Sequence, residues 1–208
     1  MEIAKTVLVW AAFAVFHSLT VSEGYERTAR RAMGERGFAA FHRLLFTAYS
    51  AAATGAALLY VRSLPDAPLY RLGGWGRIAF HAVQLAGAAL LLWTPWDFLE
   101  FVGLRQLLRH LRGEAPEGPG PLFTGKAYAV VRHPLYLGCS LILAFHPTQT
   151  QNSLASAAAV VAYFYVGTFF EERRMERRYG EAYREYRRRV PRFLPFRRPA
   201  TVLRQRRG

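Results

Sequence analysis

The run Arg132-His133-Pro134-Leu135-Tyr136-Leu137-Gly138 and the pair Glu171-Glu172 concentrate residue types that bind ligands and move protons. A guanidinium fork pairs with a carboxylate, an imidazole exchanges a proton near neutral pH, and carboxylates hold hydroxyls or an ammonium. Further on, Met175, Tyr179, Tyr183, Tyr186 and Val190 recur at helical spacing, an apolar and mostly aromatic stripe among arginines. Tyrosine faces stack on planar rings and attract cations. Each fragment also has a plainer structural reading. Arg132 can reach lipid phosphates, His133 can cap the helix that Pro134 opens, and Glu171-Glu172-Arg173-Arg174 can be a solvated helix segment with paired charges. The first run stands where a basic loop enters an apolar block, and an ionisable group at that boundary needs a partner or a task.

Apolar blocks position these groups. Of 208 residues, 52% are hydrophobic and 20% charged, and 28 Lys+Arg against 14 Asp+Glu give a formal net charge of +14. So much Leu, Val, Phe and Ala excludes a disordered chain. The basic excess does not point to nucleic acid, because 14 of the basic residues are arginines after Phe170, while the apolar residues gather in lengths suited to a bilayer. Mean hydropathy near zero fits apolar helices joined to an arginine-rich tail.

The blocks cover residues 3–21, 38–61, 78–102, 134–145 and 152–170. The first reads as an uncleaved span, since Glu2 and Lys5 make a barely basic start and no small-residue cleavage site follows. The third ends in Trp93, Trp96, Phe98 and Phe101, residues suited to a headgroup interface. Residues 134–145 are too few for a straight crossing and pair with 152–170 as a helical hairpin turning over at 146–151. Residues 171–189 read as one amphipathic helix, and 104–132, rich in Gly and Pro at 113–121, as the one long loop. No strand pattern is visible. The fold expected is therefore an all-α integral membrane protein of about five transmembrane helices, the last two a hairpin, with a C-terminal amphipathic cytoplasmic helix. Four arginines in 22–37, five Lys or Arg in 104–133 and the arginine tail share one side, against Lys5, Arg62, Arg71 and Arg77 on the other. The positive-inside rule places the tail in the cytoplasm and the N-terminus outside.

The order of the C-terminal pieces resembles the isoprenylcysteine carboxyl methyltransferase-like family of integral membrane methyltransferases. Its pattern of Arg-His-Pro-x-Tyr-x-Gly, a hairpin, Glu-Glu-x-x-Leu, an aromatic-Gly pair, Tyr-x-x-Tyr and a closing Pro is matched over about residues 121–196, with Met175 for Leu, Tyr179 for the usual Phe, and Pro195 closing. Upstream, Asp97 to Gln106, Leu-Arg-Gly at 111–113 and the Pro147-Thr148-Gln149-Thr150 turn look like the methanethiol S-methyltransferase branch. Phe16-His17-Ser18-Leu19 and residues 37–45 are also similar to a membrane family associated with nitrogen-oxide reduction.

The resemblance implies S-adenosylmethionine as methyl donor and a small hydrophobic thiol such as methanethiol as acceptor. It also leaves a prenylated cysteine carboxylate, a phospholipid amine, or a non-transferase role with His17 and His42 as haem ligands as other readings. The implied cofactor site comprises Arg132, His133, Pro134, Tyr136 and Gly138 with Glu171, Glu172, Tyr179, Tyr183 and Tyr186. Gly180 would bend the aromatic stripe back over it. Arg132, His133 or Arg173 would favour the acceptor thiolate, by charge or, for His133, as a base. One domain is expected, residues 1–103 on the acceptor side and 104–208 holding the cofactor. His17 and the cluster from Trp93 to Asp97 are acceptor-side candidates.

Other signals are weak. Gly73-Gly74-Trp75-Gly76 follows no strand and is not a nucleotide-binding loop. The six histidines lack metal-ligand spacing, so no metal is expected. The single cysteine, Cys139, reads as a packing residue. The tail suits a surface of anionic lipid, and membrane lipid is the one partner expected besides the acceptor, with no nucleic acid and no obligate protein partner. The location expected is a bacterial inner membrane.

Overall fold

The computed structural model describes residues 1–115 and 120–194. Eight α-helices carry the fold among these residues: α1 (Glu2–Thr20), α2 (Glu23–Ser63), α3 (Gly74–Trp93), α4 (Phe98–Val102), α5 (Leu104–Leu111), α6 (Pro134–Ala144), α7 (Gln151–Tyr179) and α8 (Glu181–Arg189). Four of them, α1, α2, α3 and α7, are long and apolar enough to cross a membrane, and α6 is a shorter apolar helix. Their apolar side chains are widely exposed, Leu59 at 70%, Leu85 at 70% and Leu92 at 88%. In water such surface would drive aggregation, and lipid is its fitting solvent.

α7 is the spine, packing against α1 on one side and α6 on another, while α6 also packs against α3. The α3–α6 crossing is close. A Cβ on Gly138 would lie 2.7 Å from Leu91 Cδ2 and 2.8 Å from the Gly87 carbonyl oxygen, so only glycine allows this approach. At the far end of α7 from Glu172, buried Asn152 joins three segments. It accepts from Thr6 Oγ1 of α1 at 3.2 Å, donates its amide to the Pro65 carbonyl at 3.0 Å, and donates its backbone N–H to Asp66 at 3.0 Å.

Several sequence expectations change. A short antiparallel pair, β1 (Pro68–Arg71) and β2 (Thr148–Thr150), ties the α2–α3 connection to the start of α7 where no strand was expected. These strands are too short, and one opens with proline, to leave an alternating pattern. Residues 23–33, between the first two apolar blocks, are helical. Ser22 caps them by accepting from the Tyr25 N–H at 3.2 Å, and the helix breaks its regular backbone at Gly34. The third block does not run to Val102, because Pro95 cannot continue α3. The chain restarts at Asp97, whose carboxylate accepts from the Glu100 N–H at 2.9 Å to cap α4. The supposed long loop contains α5, and residues 116–119 within it lie outside the described residues. The single amphipathic helix expected over 171–189 divides at Gly180, whose φ of 57° and ψ of −128° belong to a region that glycine alone enters readily. Pro195 and the arginines from 197 onward lie outside the described residues.

Candidate active site

Pro134 opens α6 and sets the direction of the residues just before it, so Arg132 and His133 leave the extended chain beside the end of α7. There Glu172 is buried, with its side chain 3% exposed. Its Oε1 accepts from Arg132 Nε at 2.9 Å and Nη2 at 2.7 Å, and from Arg192 Nε at 3.1 Å, with His133 Nε2 3.1 Å away. Its Oε2 accepts from Arg192 Nη2 at 2.8 Å. A buried carboxylate persists only when so satisfied.

The same arginine grips the strap that follows α8. Arg132 Nη1 donates to the Arg187 carbonyl at 3.0 Å and to that of Val190, while the backbone N–H groups of Arg132 and His133 donate to the carbonyls of Pro191 and Arg192 at 2.9 and 3.3 Å. Arg192 also lies 3.8 Å from the centroid of the Phe169 ring. Sequence alone does not single out Arg192. Among so many tail arginines nothing marks the one that turns inward.

Beside this lock lies a cleft of about 660 Å³, within the size range of small-molecule sites. Its lining includes polar and aromatic side chains, Arg132, His133, Glu171, Tyr179, Tyr183 and Tyr186. The rest of the lining is mostly apolar, from Pro95, Trp96, Leu122, Phe123 and Met175, with Asp97 and Tyr128 as further polar points. Six of the expected cofactor residues thus share one cavity. Glu172 stands behind the wall. Pro134 is buried at the α6 start, Tyr136 stacks between His133 and Phe164 at centroid distances of 5.7 and 5.1 Å, and Gly138 faces α3. Arg173 is exposed and does not line the cleft.

Electrostatics sort the roles. His133 has Glu172 at Nε2 and Glu171 Oε2 3.6 Å from Nδ1. Burial opposes its charge, but hydrogen bonds and attraction to Glu171 and Glu172 outweigh that, and its pKa is raised. The imidazolium therefore supplies positive charge more readily than it accepts a proton. Burial pushes the Tyr183 phenol up to about 12 and also raises Tyr186 and Tyr128. These tyrosines stay neutral and offer ring faces and hydroxyls. Two of the hydroxyls fix the walls, Tyr186 donating to the Tyr128 carbonyl at 2.7 Å and Tyr179 to the Gly120 carbonyl at 3.0 Å. Asp97 is held ionised by the Glu100 N–H and then by Arg105.

His17 and His42 lie apart from this cleft. His17 Nδ1 is 2.8 Å from the Tyr163 hydroxyl, and His42 stacks on Phe38 at 4.2 Å. Among the described residues no group of three or more His, Cys, Asp and Glu could hold a metal ion.

Similarity to known proteins fits this geometry. The chain is 36% identical over 124 residues to methanethiol S-methyltransferase 1 of Bradyrhizobium diazoefficiens, covering 58% of this chain and 43% of the relative. It is 35% identical over 136 residues to methanethiol S-methyltransferase 2 of the same organism, covering 58% and 52%. To the methanethiol S-methyltransferase of Mycobacterium tuberculosis it is 29% identical over 198 residues, covering 93% and 78%. The alignments to the first two span about half the length of each relative. No family model matches, and no solved structure matches. Over these stretches the chain that assembles this ligand-sized cleft is similar to methanethiol S-methyltransferases.

Proposed function

We propose that this protein is a membrane methyltransferase that uses S-adenosylmethionine to methylate a small hydrophobic thiol such as methanethiol. The observation that carries the reading is the cleft whose lining joins Arg132, His133 and Glu171 to residues that are mostly aromatic and apolar. Its donor set fits the methyl donor: a carboxylate, Glu171, for the ammonium or ribose hydroxyls, and tyrosine and tryptophan faces for adenine and a sulfonium. When bound, S-adenosylmethionine supplies an activated methyl group on a good leaving group.

The residues then have little acid or base chemistry to perform. They would hold donor and acceptor side by side, exclude water with the aromatic lining, and lower the cost of thiolate formation. Arg132 and the His133 imidazolium give the positive field for this. Arg132 acts largely through structure, since its fork is engaged by Glu172 and the carbonyls of Arg187 and Val190. In the overall step the acceptor S–H proton leaves to solvent, the sulfur pair forms the new S–C bond, and the broken C–S pair returns to the donor sulfur.

The wider arrangement follows from the same reading. Five crossings, with α6 and α7 as a hairpin, put the N-terminus outside and the cleft at the cytoplasmic face of a bacterial inner membrane, with α8 lying on that face. The helices up to residue 103 serve the acceptor, and 104–208 bind the donor, with Trp96 adding a ring face to the donor cleft. Calorimetric titration of detergent-purified protein with S-adenosylmethionine and its demethylated product tests this. Binding of both, weakened at least tenfold by Glu171→Ala, is expected. No binding by a monodisperse sample would overturn it.

A further inference from the structure

A second polar cluster lies between α1 and α7, inside otherwise apolar helices. The Tyr163 hydroxyl is 2.8 Å from His17 Nδ1 and 3.2 Å from Ser18 Oγ. Phe13 and Phe46 flank the imidazole at centroid distances of 5.3 and 4.9 Å, and Phe13 stands edge-on to Tyr163 at 6.3 Å. His17 and Tyr163 are half-buried and Ser18 is exposed, so the cluster opens to the surface that α1 and α7 share. Nε2 of His17 has no hydrogen-bond partner among the described residues. An imidazole in a membrane span is costly, and such residues line substrate paths or cavities far more often than they face lipid without purpose.

The cluster also connects with the cleft. Tyr136, on α6, stands between the two. Its ring stacks on His133 and on Phe164, the neighbour of Tyr163 in the chain. Along α7, Tyr163 stands about two turns, roughly 12 Å, before Glu171. An aromatic path thus runs from Phe164, beside Tyr163 in α7, through Tyr136 to His133.

We propose that His17, Tyr163 and Ser18 form a docking site for a small aliphatic thiol arriving from the bilayer. With Nδ1–H donating to the Tyr163 oxygen and the Tyr163 hydroxyl donating to Ser18, Nε2 presents a lone pair to the thiol S–H. Phe13 and Phe46 supply apolar contact for a short alkyl group and favourable edges for sulfur. The thiol stays intact here, and no bond is made or broken before it reaches the cleft. That this thiol is the methyl acceptor rests on the methyltransferase reading, whereas the docking itself does not.

Saturation-transfer NMR with ethanethiol and detergent-purified protein, without methyl donor, tests the site. Expected is transfer above that of empty micelles, with affinity falling about fivefold in His17→Leu, the scale of one neutral hydrogen bond, while calorimetric binding of S-adenosylmethionine is retained. No transfer above micelles, or equal transfer in a His17→Leu protein that still binds the donor, overturns the site. Should His17→Leu fail to fold, Tyr163→Phe, which keeps the ring, decides by the same readout. Thiol docking at His17 without any methylated product would remove the methyltransferase reading and leave this site standing. Product formation with the same KM for the thiol in wild type and both variants would remove the site and leave that reading.

Discussion

Glu172 and Arg132 meet as a buried, two-pronged pair, the carboxylate Oε1 receiving Nε at 2.9 Å and Nη2 at 2.7 Å with side chains 3% and 8% exposed. The pair holds the chain before α6 to the end of α7, and Arg192 closes it from the strap. Breaking one partner leaves buried charge without compensation. Glu172→Ala is expected to cost about 3–5 kcal/mol, and Glu172→Gln less. Thermal unfolding in detergent measures both, and a Glu172→Ala protein of wild-type stability would show that the lock is ornamental.

The raised pKa of His133 carries a sign. Its protonated form is favoured in the folded state by Glu171 and Glu172. That stabilisation is fully present below the unfolded value of about 6.5 and is lost as pH rises through the higher folded value. Melting temperature should therefore fall through the neutral to mildly alkaline range, and His133→Gln should flatten that part of the profile.

Gly138→Ala should lower stability by about 1–3 kcal/mol through overpacking, because the new Cβ meets the Gly87 carbonyl, which is backbone and cannot turn aside. Donor affinity in the folded fraction should change little. A large loss of affinity with normal stability would place Gly138 at the ligand.

Gly180→Ala forces a side chain into backbone that costs of order 1–3 kcal/mol. Since this residue sets where α8 begins, and α8 brings Tyr183 and Tyr186 to the cleft, weaker calorimetric binding of S-adenosylmethionine is expected along with the lower melting temperature.

Much of this site is legible in the linear chain. Arg132, His133 and Glu171 share a cleft with Tyr179, Tyr183 and Tyr186 because short-range rules, the helix opening at Pro134 and the stripe along 175–190, place them on ends that apolar blocks bring together. The division between lining and lock is not legible, since Glu171 and Glu172 are adjacent and only the helix rotation buries the second. Arg192 escapes because its partner is distant in sequence and its chemistry is shared by many neighbours. A signal for α5 did exist: Leu104, Leu107, Leu108 and Leu111 recur at helical spacing, masked by the Gly-Pro stretch after them. The helix after Ser22 was marked by a capping serine and the acidic Glu23 and Glu26 in its first turn.

The most direct test of the account is transfer itself. Purified protein in detergent or lipid, given methanethiol and S-adenosylmethionine bearing a CD3 methyl group, should release trideuterated dimethyl sulfide, detected by gas chromatography and mass spectrometry. Formation should depend on the protein and fall at least tenfold in Glu171→Ala. Absence of labelled dimethyl sulfide from folded protein that binds the methyl donor would contradict the thiol as acceptor.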